Sequence, residues 1–287
     1  MTLFSKRSKD VKPPRKSYTK TVAALSGSIL FVVWLIWGNM TIQLSQITIS
    51  DQSTPKEFNN FKIAQLSDLH DKDWGRALIE PLKEENPDII VITGDLIDSK
   101  TPDIYQATEL IKQIQKIAPI YFVSGNHEAW SGQYAALEEA LLTLDVTILD
   151  NDSVILQKEN AEILLLGLKD PAFKSSYYDM ATEIQQLKED FDGFSILLSH
   201  RPERFASYVS SDVNLVLSGH AHGGQFRLPF FGGVIAPDQG FLPTYTSGVY
   251  KEKNTNMIVS RGLGNSIIPI RVNNRPELVI IELKSSR

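Results

Sequence analysis

Five short runs of apolar and β-branched residues in this chain each end abruptly in a cluster of small, acidic or imidazole residues: FKIAQLSDLH, DIIVITGDL, IYFVSGNHE, FSILLSHRP and NLVLSGHAH. Unbroken apolar runs of this length, separated by helical patterns, mark strands buried on both faces and joined by crossover helices. An α/β fold follows, with the polar clusters at the strand ends. In such sheets ligands gather beyond the carboxyl ends of the strands, so all five clusters are expected to face one crevice.

The segments between the runs support the alternation. The clearest crossover helix is predicted from Pro102 to Ala118, with Thr101 as N-cap and Pro102 at the first position. Ile104, Ala107, Ile111, Ile114 and Ile117 share one face, and Pro119 stops the helix. Weaker helical patterns cover Leu78 to Glu84, Tyr134 to Leu144 and Met180 to Asp190. Upstream, Ile42, Leu44, Ile47 and Ile49 come close to the alternation of a half-buried strand, so the globular domain is expected to span residues 39–287. After His222 the pattern gives way to Gly- and Pro-rich loops and short strands.

Residues 21–38 read TVAALSGSILFVVWLIWG, an uncharged apolar stretch at the short end of what crosses a bilayer as a helix. Trp34 and Trp37 lie at its far end, where indole rings favour the headgroup region. Residues 1–20 hold seven Lys and Arg against the single acid Asp10. That asymmetry predicts a basic cytoplasmic tail, a single-pass anchor in the cell membrane and an extracytoplasmic domain. A cleaved signal peptide would have a shorter apolar core and a small-x-small site, so an uncleaved anchor is the expected form.

The rest of the chain carries 22 of the 29 basic and 33 of the 34 acidic residues. Such a domain has no overall field to draw a nucleic-acid backbone, and no nucleic-acid partner is expected. With no cysteine there is no disulfide, thiolate ligand or cysteine nucleophile. A transition-metal site must therefore use His, Asp, Glu or Asn.

All five histidines, His70, His127, His200, His220 and His222, fall in the strand-end clusters, beside Asp68, Asp95 and Asn126. Histidines that only filled structural positions would have no reason to gather there, so a metal site is the economical reading. Imidazole with carboxylate and amide oxygen suits Mn²⁺, Fe²⁺ or Zn²⁺, and the donors are too many for one such ion.

The ordered blocks DLH, GD, GNHE, a strand-ending histidine and GHAH resemble the signature of the calcineurin-like metallophosphoesterase superfamily, from about Ile42 to the C-terminus. The resemblance implies a sandwich of two mixed β-sheets flanked by helices and a centre of two divalent cations, Mn²⁺ foremost, with Fe²⁺ or Zn²⁺ as alternatives. One would be held by Asp68, His70, Asp95 and His222, the other by Asp95, Asn126, His200 and His220. A shared Asp95 would hold the pair about 3.5–4 Å apart around a bridging hydroxide, the nucleophile toward a phosphodiester or pyrophosphate. His127 would protonate the leaving oxygen or stabilise the transition state, with Asp68 as its orienting acid and Glu128 as the second choice.

Within the superfamily, GHAHGGQFRLP, SRGLG and NRPELVIIEL resemble a bacterial membrane-associated branch, some members of which cleave the pyrophosphate of UDP-2,3-diacylglucosamine. That cleavage is cytoplasmic, in conflict with a domain outside the membrane. Ala221 stands where many relatives have threonine, and Lys169 precedes Asp170-Pro171 where an acid is frequent.

Rival patterns fail on chemistry. GDLIDSKT approaches a phosphate-binding P-loop, but Ser99 takes the second glycine position, and Asp95 and Asp98 would repel phosphate. There is no GxSxG elbow, and HEAWS lacks the second histidine of a zincin helix. Arg201 is expected either to reach a substrate phosphate or to pair with Glu203. The aromatics from Phe226 to Phe241 either pack the loop or seat an acyl chain of a lipid-linked substrate. The alternatives to a diesterase are a phosphomonoesterase and a non-enzymatic membrane scaffold. A scaffold would be expected to have lost ligands or the acid, and here none is missing.

Overall fold

The computed structural model describes residues 18–174, 179–189, 191–265 and 268–286, and in it the five apolar runs become inner strands of two sheets. The strands are β1 (Gln43–Asp51), β2 (Lys62–Leu66), β3 (Ile89–Thr93), β4 (Ile120–Val123), β5 (Thr147–Ile148), β6 (Asp152–Lys158), β7 (Ala161–Gly167), β8 (Ser195–Leu198) and β9 (Leu215–Ser218). They continue as β10 (Arg227–Leu228), β11 (Gly232–Gly233), β12 (Ile235–Ala236), β13 (Gly240–Phe241), β14 (Gly248–Glu252), β15 (Thr255–Val259) and β16 (Glu277–Ser285). The helices are α1 (Tyr18–Met40), α2 (Arg76–Glu85), α3 (Ile104–Ile114), α4 (Asn126–Ser131), α5 (Tyr134–Thr143), α6 (Met180–Lys188) and α7 (Phe205–Ser210).

One six-stranded sheet has the order β1-β16-β2-β3-β4-β5 and the other β14-β15-β9-β8-β7-β6. Both are mixed. In the first, β2 to β5 run parallel while β16 is antiparallel to β2 and parallel to β1. In the second, β7, β8, β9 and β15 run parallel, with β6 and β14 antiparallel at the edges. The expected sandwich is what forms.

The apolar runs are unbroken because each inner strand serves two cores. Along β3, Ile90 and Ile92 pack with Leu82 of α2, Ile111 of α3 and Leu141 of α5, while Ile89 and Val91 face the other sheet. Along β8, Ile196 and Leu198 fill the space between the sheets, and Leu197 packs with Ile184 of α6 and Phe205 of α7. This is the period-two alternation of a strand with an apolar partner on both sides, giving four layers. Truncating a side chain as enclosed as Ile92 to Ala costs about 2–5 kcal/mol.

The crossover helix is shorter than expected and starts later. Its N-cap is Asp103, whose carboxylate accepts the Gln106 N–H at 2.9 Å, so Thr101 and Pro102 precede the helix. A carboxylate at that place meets both the orphan N–H and the positive helix end. After Ile114 the chain tightens into turns before Pro119. Helix α6 ends at Lys188, so the predicted extension to Asp190 runs past Glu189 and onto a residue outside the described set.

Helix α1 encloses the apolar stretch 21–38, buries none of its residues in the domain and is long and apolar enough to cross a bilayer. Residues 1–17 of the expected basic tail lie outside the described residues. The end of α1 is fastened to the domain. Asn39 donates to the Arg271 carbonyl and accepts the Arg271 N–H, both at 2.8 Å, and the Arg275 guanidinium lies 4.6 Å over the Trp37 ring.

Candidate metal centre

Every singled-out side chain lies just past a strand end. Asp68 and His70 follow β2, Asp95 follows β3, Asn126 and His127 open α4 after β4, His200 follows β8, and His220 and His222 follow β9. The backbone there is strained. Asp68, His70, Asp95, His220 and His222 all have left-handed φ, between 46° and 67°, a conformation that costs of order 1–3 kcal/mol per non-glycine residue and collects at functional sites.

The surrounding loops hold these turns in place. Asp68 N–H donates to the Gly94 carbonyl and His70 N–H to the Asp95 carbonyl, both at 3.0 Å, which binds the β2 and β3 loops together. The buried Glu128 carboxylate accepts N–H groups from Gly125, Asp95, Leu96 and Ile97 at 2.7–3.1 Å. Gly94 has φ +87°, and a Cβ there would meet His200 Nδ1 at 2.6 Å. At Gly219 a Cβ would stand 1.9 Å from Ser67 Oγ. Both positions need glycine for the loops to close around the carboxylates.

The side chains converge in two groups that share one carboxylate. Asp68, His70, Asp95 and His222 each place a donor atom within 4.8 Å of the others, and so do Asp95, His200 and His220. In the first group His70 Nε2 lies 3.2 Å from His222 Nε2, and His222 Nε2 lies 3.3 Å from Asp68 Oδ1. In the second, His200 Nε2 is 3.1 Å from Asp95 Oδ2 and 3.2 Å from His220 Nδ1. Asn126 is buried, and its Oδ1 has no hydrogen-bond partner, as is true of His70 Nδ1.

Outer contacts set which ring nitrogen faces inward. His200 Nδ1 donates to the Thr93 carbonyl at 2.7 Å, leaving Nε2 toward Asp95. His220 Nε2 is 2.9 Å from Asp238 Oδ2, leaving Nδ1 toward the centre. Such carboxylate or carbonyl partners fix the tautomer of a metal-binding imidazole.

Burial lowers His70 to about 3, His220 to about 4 and His222 well below the ordinary range. Those rings are neutral, the form that binds a cation. Burial raises Asp68 to about 6, with positive His200 opposing it. Burial would also raise Asp95, but the charge and hydrogen bond of His200, together with the nearby His70 and His127, outweigh it and hold this carboxyl well below its usual range. The same contact lifts His200 to about 10, although burial opposes its charge. Neutral imidazoles at His70, His220 and His222, two carboxylates and an unpartnered amide oxygen, with no sulfur, fit borderline divalent cations, and His200 would give up its proton to join them.

His127 is not oriented by either acid expected from the sequence. Asp68 is engaged with Ser67, the His220 N–H and His222, and Glu128 with four backbone groups. Its Nδ1 accepts the Ser99 N–H at 3.0 Å and lies 3.5 Å from Asp98 Oδ2. Of the two courses expected for Arg201, the pairing with Glu203 is present but is not its main contact. Its Nε and Nη2 grip Asp170 at 2.6 and 2.8 Å, Nη1 meets Asp238, and Glu203 is more distant at 3.9 Å. Asp98 stands three residues after Asp95 in GDLID, but nothing in that spacing says that it meets His127. Asp238 carried no signal either.

The profile of the family described as calcineurin-like phosphoesterase matches residues 61–224, a span that contains every candidate ligand. The uncharacterized metallophosphoesterase YkuE of Bacillus subtilis (strain 168) is 35% identical over 256 residues, covering 85% of this chain and 86% of that protein. A transmembrane protein with metallophosphoesterase domain from Danio rerio is 29% identical over 286 residues, covering 94% of this chain and 64% of that protein. The structure of the NAD nucleotidase NadN of Haemophilus influenzae shares the fold, with a TM-score of 0.51 at 16% identity over 70% of this chain and 45% of that one. With a matched profile over more than half its length and candidate ligands gathered in one centre, the chain belongs to the calcineurin-like phosphoesterase family.

Proposed function

We propose that this chain is a membrane-anchored phosphodiesterase or pyrophosphatase working with two divalent cations, Mn²⁺ best suited and Fe²⁺ or Zn²⁺ as alternatives. The observation that carries the reading is the pair of donor groups sharing Asp95, with His127 beside them. Asp68, His70, Asp95 and His222 would hold one cation; Asp95, Asn126, His200 and His220 the other. The bound pair would supply an activated water at neutral pH and neutralise charge on the phosphoryl oxygens.

The chain's own part in the reaction centres on His127. With Nδ1 accepting from Ser99, the neutral ring carries its proton at Nε2, ready to hydrogen-bond a leaving oxygen. The imidazolium instead presents Nδ1–H toward Asp98 and can give up the Nε2 proton as a general acid. Phe230, Phe231 and Phe241 stand out in solvent a short way past the last ligands, which supports a lipid-linked substrate. UDP-2,3-diacylglucosamine-like pyrophosphates belong to that class, and the reading of residues 1–20 as a cytoplasmic tail, 21–38 as anchor and 39–287 as an extracytoplasmic domain argues against that particular member. A scaffold or a phosphomonoesterase is the competing function.

The test is hydrolysis of bis(p-nitrophenyl) phosphate and p-nitrophenyl phosphate by the full chain with Mn²⁺, beside His127→Ala and Asp95→Asn. Diesterase activity that falls by about 10²–10⁴-fold in His127→Ala with its metal retained supports the acid role, and Asp95→Asn is expected to lose metal as well. Preference for the monoester would mark a phosphomonoesterase. A wild type that binds two metals and is as inactive as both variants would mark a scaffold.

A further inference from the structure

The metal centre leaves unexplained the arginines of SRGLG and NRPELVIIEL, Arg261 and Arg275. Both line a cavity of about 140 Å³ at the junction of α1 with the domain, together with Arg271, Asn273, Trp34 and Trp37. That volume is well beyond the room a single water needs. Three guanidiniums surround it, and among the described residues they form one ion pair, Arg261 Nη2 to Glu277 Oε1 at 3.2 Å.

The remaining contacts of these arginines are to neutral groups. Arg271 donates to the carbonyls of Arg261 and Gly264 and to Asn265 Oδ1. Arg275 donates to Thr41 Oγ1 at 3.0 Å and to the Ile42 carbonyl at 2.7 Å. Arg261 Nε is buried without a partner. Neutral acceptors fix where Arg271 and Arg275 stand but leave their charge uncompensated, and two such groups beside Arg261 call for an anion.

The position of the cavity says which anion. Its helix wall is the last two turns of α1, where Trp34 and Trp37 mark the headgroup level of a bilayer. Guanidiniums at that depth meet lipid phosphates, whose oxygens match their forked donors. We propose that this cavity binds the phosphate of an anionic membrane phospholipid whose acyl chains lie along α1. The proposal rests on the reading of α1 as a membrane anchor.

Native mass spectrometry of the full chain in dodecyl maltoside, titrated with phosphatidylglycerol, tests it. The wild type is expected to retain one lipid, and Arg261→Gln/Arg275→Gln to bind it at least tenfold more weakly. Asn273→Asp leaves the three guanidiniums of the cavity in place but sets a carboxylate in the wall, and is expected to weaken binding in the same way. Circular dichroism and metal content identify any variant that fails to fold.

Equal retention of phosphatidylglycerol by wild type and both folded variants overturns the proposal. So does equal retention of phosphatidylcholine, or binding of glycerophosphoglycerol or inorganic phosphate as tight as that of the lipid, which would mark a site for soluble phosphate. Carbonate extraction of membranes separates the two levels. Release of the chain would sink the anchor, whereas a retained chain whose variants still hold the lipid would sink only the pocket.

Discussion

At the scale of single residues, His127 has two partners at one nitrogen, and they suit different protonation states. The Ser99 N–H can donate only to an unprotonated Nδ1, whereas Asp98 can accept only from a protonated one. Asp98 therefore bears on how the ring stands beside the metal centre, and Asp98→Asn is expected to lower kcat for the soluble diester about tenfold, with metal content unchanged. A loss of metal would reassign Asp98 to holding the loop, and an unchanged kcat would remove it from the reaction. The residues gathered at the candidate metal centre could be picked out from the chain because they fall directly after apolar runs, a local relation. Asp98, Asp170 and Asp238 could not, because each acts on a residue brought to it by another loop, at His127, Arg201 and His220. No spacing rule encodes such meetings.

At the scale of elements, the loops after β3 and β4 are held less by regular structure than by one carboxylate. Glu128 Oε1 accepts from Leu96 and Ile97, and Oε2 accepts from Asp95 and Gly125. Burial and then the nearby Asp95 charge push the Glu128 pKa up, while the four backbone donors favour the ionised form that accepts them all. Glu128→Gln puts an amide NH₂ against two N–H donors, leaving both without an acceptor at roughly 1–3 kcal/mol each. For a domain of this size that corresponds to a Tm lower by about 5–15 °C, readable by calorimetry. A Tm unchanged by the substitution would show that the loops are held by something else. Strand positions were legible because burial on both faces leaves runs with few interpretations. Helix edges were not: at α3 the predicted cap Thr101 gave way to Asp103 because it is the Asp103 side chain that reaches Gln106 N–H, a matter of rotamer and turn geometry rather than pattern.

At the scale of the whole molecule, the last strand passes into the middle of the first sheet, between β1 and β2. Its run ELVIIELKS reads as a strand, but its neighbours depend on pairings across more than two hundred residues, which hydrophobic pattern does not specify. That pairing joins the segment following α1 to the centre of the domain, and the Asn39 and Arg271 bonds repeat the link at the membrane end. The candidate metal centre is thus carried close to α1, since Arg271, held by Asn39, also comes within 3.4 Å of His222 Nδ1. The excess of Lys and Arg before α1 predicts that the domain lies outside the cytoplasm. Because the chain has no cysteine, Tyr105→Cys on the exposed face of α3, at a position 71% accessible, gives a single reporter. A membrane-impermeant maleimide added to intact cells should label it fully, with no further gain on lysis. Labelling only after lysis would put the domain in the cytoplasm, reverse the topology drawn from the basic tail, and return a cytoplasmic nucleotide-linked lipid to the front of the substrate candidates.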